Sequence, residues 1–338
     1  MQGKKRVAWI DSVKALAIVL IVVGHALNGY SNLWHWVYGF HVPLFVMLSG
    51  LVFNRDTSMD FKSFIKKNIL NTLVPYYFWG IVSIIIYQVV GTKIDGQNAF
   101  SLIDCFKGLL WANGQGGRMR WNLPMWFLPV IFLIKLFGYH LNKIKKTNTL
   151  VFVVGLQLFI SFFTYTSGVI SNLPFGLETA IYLSPFFSCG LLLSGNIGIL
   201  HKIDIKVKVL CSVALAIIGS VIILYQKNID YVSDVYRSYP LFFISAGIMS
   251  LSLIVLFSGL DKCPKPIGII GQNTMAIMIL QRFPLIFFEK VCPITKDIYI
   301  TNRFVGALLI AGLTIVLCVL VSIALKRILP WSLGVRRQ

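Results

Sequence analysis

The sequence has few charged residues, and most of those it has are basic. Only 13% of the 338 residues are Asp, Glu, Lys or Arg, whereas a soluble domain has about 25%. Lys and Arg number 31 against 12 acids, for a formal net charge of +19. Such an excess can indicate nucleic-acid binding. Here the basic residues form short clusters between apolar runs, which argues against that class and favours a membrane protein.

The sequence also lacks a recognisable metal-binding pattern. Its cysteines contain no CxxC pair, and most lie in or beside apolar runs: Cys105, Cys189, Cys211, Cys263, Cys292 and Cys318. This excludes a recognisable zinc site and indicates small buried side chains, so we expect no bound metal. A Cys105–Cys292 disulfide on the outer face is a less favoured alternative.

Long apolar runs dominate what is present. With 57% hydrophobic residues and a mean hydropathy of +0.79, the chain is predicted to be an all-α, polytopic integral membrane protein. We expect about ten spans of roughly twenty residues or slightly fewer. They cover residues 9–29, 37–53, 70–90, 125–141, 150–166, 180–196, 207–225, 240–259, 267–288 and 304–325. Since no repeat is evident, we predict one transmembrane domain over residues 1–338.

The basic residues also predict the orientation. Lys4, Lys5 and Arg6 precede the first apolar run as in a signal peptide, but the run is too long and lacks a convincing cleavage site. With the N-terminus inside, the inner segments carry about twice as many Lys and Arg residues as the outer ones. Both termini are therefore predicted to be cytoplasmic.

The first helical hairpin, residues 9–53, carries ionisable groups inside apolar runs. Lys14 and His25 are eleven residues apart, so they share one helix face and are separated by roughly 16 Å along the axis. Asp11 lies near the same stripe. A polar stripe on an apolar helix must face protein or a water-filled cavity, and ionisable groups in hydrocarbon are functional candidates.

His41 begins the second run of this hairpin, which places it at a depth similar to that of His25. An imidazole titrates near neutral pH and is a natural general base. A buried neutral imidazole bonded to a backbone carbonyl is the alternative, given equal weight for His41. His35, His140 and His201 lie at predicted membrane edges and are interpreted as interface or surface groups.

A basic cluster precedes the third span. Lys62, Lys66 and Lys67 lie on the predicted inner side, where such a cluster binds anionic lipid head groups or the phosphates of a nucleotide-like cofactor. Both interpretations stay open.

Three features lie towards the predicted outer side. Glu178 opens a span, where an acid complements the helix dipole or orients a histidine or substrate hydroxyl. Trp126, near the end of the long loop 91–124, suits an aromatic interface belt or stacking on a sugar face. Gln281 and Arg282 lie inside the ninth span, where the guanidinium faces a cavity or reaches the interface.

Five segments, taken in order, resemble the membrane acyltransferase 3 family and its fucose 4-O-acetylase-like branch in bacterial polysaccharide clusters. They are DSVKALAIVLIVVGH, FHVPLFVMLSG, KKNILNTLVPYY, LPMWFLPVIF and GQNTMAIMILQ. The resemblance covers nearly the whole chain. It implies a ten-helix enzyme that moves an acyl group, usually acetyl, from cytoplasmic acyl-CoA to a glycan hydroxyl.

The resemblance also implies roles for single residues. His25 matches the catalytic histidine, Lys14 a position usually held by Arg, and His41 the FHxPLF segment, while Glu178 falls where related members often carry an acid. Asn68 and Asn71 stand where the family usually has Arg, beside Lys66 and Lys67, and Gln281 stands where the ninth span often ends in His. Asn cannot reproduce the fork geometry of Arg, so the CoA phosphate contact is expected to shift to lysine.

The main hypothesis is an integral-membrane O-acetyltransferase in the plasma membrane of a bacterium. Acetyl-CoA is the expected donor, and a hydroxyl of an exopolysaccharide, capsule or other cell-envelope glycan is the expected acceptor. His25 acts as the base, by direct transfer or through an acyl-enzyme, and the expected catalytic residues are His25, Lys14, His41 and Glu178. The other expected contacts are Lys14, Lys66, Lys67, Asn68 and Asn71 for the donor, and Asp11, His41, Trp126, Glu178, Gln281 and Arg282 for the acceptor side.

Two alternatives belong to other classes. Intramembrane ionisable groups also serve transporters or flippases of glycans or lipid-linked sugars, although the sequence shows no paired broken helices or two-half symmetry. A sensor or assembly partner without activity is the other alternative, motivated by Asn68, Asn71 and Gln281.

Overall fold

The computed structural model describes residues 7–53, 59–95, 100–260 and 262–335, without the side chains of residues 91–95 and 201. The described chain is helical. The α-helices are α1 Ala8–Leu27, α2 Asn32–Tyr38, α3 His41–Leu51, α4 Phe61–Asn68, α5 Val74–Asp95, α6 Leu102–Trp111, α7 Phe127–Leu141, α8 Thr147–Ser167, α9 Leu177–Gly195, α10 Ile197–Lys202, α11 Ile205–Gln226, α12 Tyr239–Phe257, α13 Lys265–Gln272, α14 Thr274–Leu280, α15 Arg282–Ile286, α16 Pro293–Thr301 and α17 Arg303–Ile328.

The all-α, polytopic membrane class is confirmed. Within the described ranges, eight helical stretches are long and apolar enough to cross a bilayer. They are Ala8–Leu27, Phe61–Val90, Leu123–Leu141, Thr147–Ser167, Pro174–Gly195, Ile205–Gln226, Tyr239–Phe257 and Arg303–Ile328. The other two predicted spans, 37–53 and 267–288, are built from shorter helices.

The predicted span 37–53 starts late because of its local sequence. Residues Asn32–Tyr38 form their own short helix α2, and α3 starts at His41. Pro43 lies in the first turn of α3, where the missing N–H costs no hydrogen bond. With eleven residues, α3 is about 16 Å long, which is shorter than the roughly 30 Å hydrocarbon core.

The predicted span 267–288 is interrupted twice. Asn273 separates α13 from α14, and Gln281 separates α14 from α15. Pro284 lies just inside α15 and cannot donate to the carbonyl four residues earlier. A π-helical turn, Phe287–Val291, then ends the segment, so polar residues and proline divide this apolar run into short pieces.

The chain divides into two compact units that are interleaved in sequence. The first unit comprises Met1–Val52, Gly190–Ile229 and Tyr236–Leu320. Within it, α1 packs against α2, α3, α12, α13 and α14. Small residues allow the closest approaches, because a Cβ at Gly271 of α13 would lie 2.0 Å from the Asp11 carbonyl oxygen of α1.

The second unit comprises Phe53–Cys189, Asp230–Val235 and Val321–Gln338. In this unit, α5 packs against α6, and α7 packs against α4. A π-helical turn, Ile69–Leu73, joins α4 to α5, where Pro75 withholds the N–H that the Asn71 carbonyl would accept. An isolated antiparallel bridge joins Asp230 to Val235.

Several predictions fall outside this description. The terminal and loop basic residues Lys4, Lys5, Arg6 and Arg55 lie outside the described residues, so the inside location of the termini stays a prediction. All six cysteines are free thiols, and the less favoured disulfide does not form.

Candidate functional site

His25 lies in the last turn of α1, and the first unit fixes this helix end. The terminal carbonyls of a helix have no partners within it. Here the Tyr299 hydroxyl donates to the Ala26 carbonyl at 3.0 Å, and Arg303 Nη2 donates to the Asn28 carbonyl at 3.2 Å. A cation at a helix C-terminus is also favourable electrostatically. The backbone that carries His25 is therefore held in place.

Tyr38 is the direct partner of His25. Its hydroxyl oxygen lies 3.1 Å from His25 Nδ1, and the two rings meet edge to face. Gly24 leaves room for this ring, since a Cβ there would lie 3.0 Å from Tyr38 Cε2. The Tyr38 ring also stacks on Trp34, with centroids 4.4 Å apart. His25 is thus oriented through one ring nitrogen, and its side chain is only partly buried.

His41 lies next to the same tyrosine but is bonded differently. Its ring centroid is 4.9 Å from that of Tyr38, and its Nδ1 lies 2.9 Å from the Val37 carbonyl oxygen. A carbonyl only accepts, so Nδ1 carries the proton and donates. With 4% of its surface exposed, His41 matches the buried imidazole bonded to a backbone carbonyl that we considered as an alternative.

Other predicted residues of the first unit surround this histidine pair or lie along α1. His41 and Arg282 lie close enough to His25 to interact with its imidazole electrostatically. Gln281 is fully buried, and its Oε1 has no hydrogen-bond partner among the residues that the structure describes. Lys14 is partly buried in α1, whereas Asp11 is buried where α13 crosses.

The second unit contains Glu178 and a cluster of polar side chains. Glu178 is 1% exposed and accepts hydrogen bonds from Asn113 Nδ2 at 3.0 Å and from the Leu173 amide at 3.1 Å. Asn113 Nδ2 also donates to the Leu173 carbonyl at 2.9 Å. These bonds tie the loop after α6 to the turn before α9, where Phe175 has a φ of 61°, an uncommon conformation for a bulky residue.

Asp234 extends this cluster. Its Oδ2 accepts from Thr179 Oγ1 and from Gln115 Nε2, each at 3.0 Å. Desolvation raises the pKa of the Asp234 carboxyl well above its usual range, the bond from Thr179 opposes this, and the nearby Glu178 charge adds to the rise. Two carboxyl groups therefore lie in one poorly solvated cluster, which is uncommon outside functional sites.

A small, partly open cavity lies beside these groups. It is lined by Asn113, Trp126, Gly176, Thr179 and Tyr231, among others. The Trp126 and Tyr231 rings are nearly parallel, at 17°, with centroids 6.5 Å apart. We call this site, defined by Asn113, Trp126, Thr179 and Tyr231, the aromatic pocket. It combines two stacked aromatic rings with polar side chains, as small-molecule sites commonly do.

The predicted donor-side residues of the second unit divide into exposed and buried groups. Lys66 and Lys67 are exposed in the last turn of α4, so their charges are available to a phosphate. Asn68 is 5% exposed, and its Nδ2 donates to the Phe132 carbonyl at 3.1 Å. Asn71 is partly buried, and its carbonyl lies 2.5 Å from where a Gly334 Cβ would be.

Sequence reasoning did not identify Tyr38, Asn113, Thr179 or Asp234. Tyr38 stands three residues before His41 in WHWVYGFH, a spacing that could have indicated contact with a histidine. Asp234 is one of only 12 acids and lies in a loop between apolar runs, which is the signal it offered. Asn113 and Thr179 have no distinguishing sequence context.

Together, the fold and these clusters define a multi-pass membrane protein with titratable side chains grouped at defined places among its helices. The family model described as an acyltransferase domain, that of the acyltransferase 3 family, matches residues 7–323. The chain therefore belongs to this family, and it is a membrane acyltransferase. No curated protein and no solved structure gives a significant match.

Proposed function

We propose that this acyltransferase is an O-acetyltransferase with His25 as its general base. The donor is cytoplasmic acetyl-CoA, and the acceptor is a hydroxyl of an exopolysaccharide, capsule or other cell-envelope glycan at a bacterial plasma membrane. In this proposal, both termini are cytoplasmic and residues 1–338 form a single transmembrane domain. The hydrogen bond between Tyr38 Oη and His25 Nδ1, at 3.1 Å, is the observation that carries this proposal.

The hydrogen bond to Tyr38 orients the His25 imidazole and favours the tautomer that can accept a proton at Nε2. When Nδ1–H donates to the tyrosine oxygen, the neutral ring has its lone pair on Nε2. Nε2 takes the proton of the acceptor hydroxyl as that oxygen attacks the thioester carbonyl carbon. The C–S bond then breaks, and the proton passes from Nε2 to the CoA sulfur. General base catalysis of this kind contributes roughly 10²–10⁴-fold to a rate.

Arg282 supplies positive charge to the same reaction. The guanidinium lies within electrostatic reach of the His25 ring, and in this scheme it stabilises the oxyanion that forms on the thioester carbonyl. Gln281 adds a buried amide next to it in sequence, and His41 supports Tyr38 through their ring contact. Lys14 and Asp11 lie on the same polar stripe of α1 as His25.

The donor contacts follow from exposure and charge. Lys66 and Lys67 bind the CoA phosphates, because both are exposed and carry the charge that phosphate requires. Asn71 lies beside them. The Asn68 amide already donates within its own unit, which makes it a support for this helix rather than a phosphate ligand. Glu178 and Trp126 serve the acceptor side.

Acetyl-CoA turnover by the purified chain in detergent tests this function directly. Release of CoA thiol, stimulated by an added glycan, is the expected result. A chain that releases none but moves labelled saccharide across liposomes is a transporter, which overturns the proposal.

Replacing Tyr38 with Phe tests the orientation of the imidazole. The ring that stacks on Trp34 is kept, while the hydroxyl that meets His25 is lost. A hydrogen bond of this kind contributes about 1 kcal/mol, so we expect kcat to fall roughly five- to tenfold with the KM for acetyl-CoA unchanged. Tyr30→Phe, at an exposed ring, is the matched control. An unchanged kcat, or a change confined to KM, contradicts the positioning role.

Removing the charges of Lys66 and Lys67 tests the donor site. In the double variant Lys66→Ala/Lys67→Ala, we expect the KM for acetyl-CoA to rise about tenfold and to depend less on salt, because surface charge attraction is screened by ions. Lys145→Ala/Lys146→Ala removes two exposed charges from another basic segment and serves as control. An equal rise in both double variants would indicate general surface charge and not a phosphate site.

A further inference from the structure

Two of the side chains that define the aromatic pocket, Asn113 and Thr179, use all their hydrogen-bond donors within the protein. Asn113 Nδ2 has two N–H groups, and it donates to the Leu173 carbonyl and to Glu178 Oε1. The Thr179 hydroxyl has one proton, which it donates to Asp234 Oδ2. Neither side chain has a further proton to offer a ligand.

The same two side chains keep acceptor capacity. Asn113 Oδ1 accepts one bond, from the Gln115 amide at 2.9 Å, and an amide oxygen has two lone pairs. The Thr179 oxygen likewise has lone pairs that accept. Both residues are 3% exposed and line the cavity, so a group that bonds to either of them must itself donate.

The carboxyl groups behind these two side chains also disfavour an anionic ligand. Asn113 is held by Glu178 and Thr179 by Asp234, so a carboxyl group lies one bond behind each lining side chain. A phosphate or carboxylate that enters the pocket would find no donor from Asn113 or Thr179, and it would come close to the charge of Glu178, which lies one hydrogen bond behind Asn113. Like-charge contact in a poorly solvated site is costly.

Shape and surface narrow the class of ligand further. The cavity has about 10 Å³ of space for the centre of a water molecule, enough for roughly one water-sized group. The stacked Trp126 and Tyr231 rings add an apolar surface. Since ligand pockets usually reach about 300–1,000 Å³, this cavity takes one hydroxyl arm of a larger ligand.

From these contacts, we infer that the aromatic pocket is a subsite that binds a hydroxyl group of a neutral sugar unit of the acceptor and excludes anionic groups. The inference rests on the proposed function, because it specifies the acceptor of that reaction. The aromatic pocket is therefore distinct from the acetyl-CoA site, because it would repel the phosphates of the donor. Asn113 and Thr179 accept from the sugar hydroxyl, and Glu178 and Asp234 act as positioning residues behind them.

Binding and kinetics with two soluble probes test the subsite in the full chain. The probes are methyl β-D-glucopyranoside, which is neutral, and methyl β-D-glucuronide, which carries a carboxylate. Saturation-transfer NMR on the purified protein measures binding without any reaction. The KM for each glycoside and for acetyl-CoA is measured where turnover occurs.

Three variants sharpen the test. Thr179→Val keeps the side-chain shape and removes the hydroxyl. We expect it to weaken binding of the neutral glycoside about tenfold and to raise the KM for that glycoside by the same factor. The KM for acetyl-CoA should not change. Thr179→Ser restores the hydroxyl and should restore binding. Thr164→Val removes a hydroxyl that bonds the Ile160 carbonyl at 2.7 Å in α8, and it should change neither value.

The outcomes separate the two proposals. Neutral glycoside binding that depends on Thr179, without acetyl-CoA turnover, supports the subsite and overturns the proposed reaction. Turnover in which Thr179→Val leaves the glycoside KM unchanged, or in which the glucuronide serves as well as the glucoside, overturns the subsite and leaves the reaction standing. If neither glycoside binds, the subsite is overturned.

Discussion

The His25→Ala variant should lose acyl transfer while accumulating in the membrane at the level of the unchanged protein. Its loss should be at least about 100-fold, because general base catalysis contributes roughly 10²–10⁴-fold. Stability should change little. The His25 side chain is only partly buried, and its hydrogen bond to Tyr38 is worth about 1 kcal/mol.

The measurement is CoA release from acetyl-CoA by purified protein, normalised to the folded fraction from size-exclusion chromatography. His140→Ala provides the matched control, because His140 is exposed and its ring contacts are with Phe61 and Tyr139. Transfer retained by His25→Ala would remove His25 from the mechanism. An equal loss in His140→Ala would point to a general effect on the protein.

Gly271→Ala should destabilise the first unit, and it should do so far more than the control substitution Gly312→Ala. The new Cβ would lie 2.0 Å from the Asp11 carbonyl oxygen and 2.8 Å from its carbon. Backbone atoms of α1 cannot rotate away as a side chain does, so α13 must move off α1. Overpacking of this kind costs about 1–3 kcal/mol and occasionally more.

We expect a lower midpoint of thermal unfolding in detergent and reduced transfer activity, because α1 carries Asp11, Lys14 and His25. Gly312→Ala is the matched control: Gly312 also lies within a helix, α17, and a Cβ there would have no neighbour within 4 Å. Alanine favours helix over glycine by about 1 kcal/mol, so this control should be neutral or slightly stabilising. Equal unfolding midpoints for both variants would contradict close packing at Gly271.

The resemblance and the structure agree about the broad class but differ in what they say about single residues. The segment GQNTMAIMILQ, which resembles the family, begins with Gly271. The structure explains the need for glycine at this position by the close approach of the Asp11 backbone. Asn68 was expected near the donor because it stands in place of Arg, and the structure shows its amide donating to the Phe132 carbonyl. A motif marks a residue as a candidate for a functional or structural role, whereas its contacts show which interaction it makes.

The sequence by itself determined the fold class. Apolar runs of bilayer length force helices, because backbone polar groups in hydrocarbon must bond within their own segment, and the polar stripe of α1 follows from the helical period. Only the tertiary structure decided which groups meet. Tyr38 reaches His25 across the turn between α1 and α2, and Thr179 reaches Asp234, 55 residues later. Such contacts depend on how helices and loops pack, which no local spacing of residues specifies.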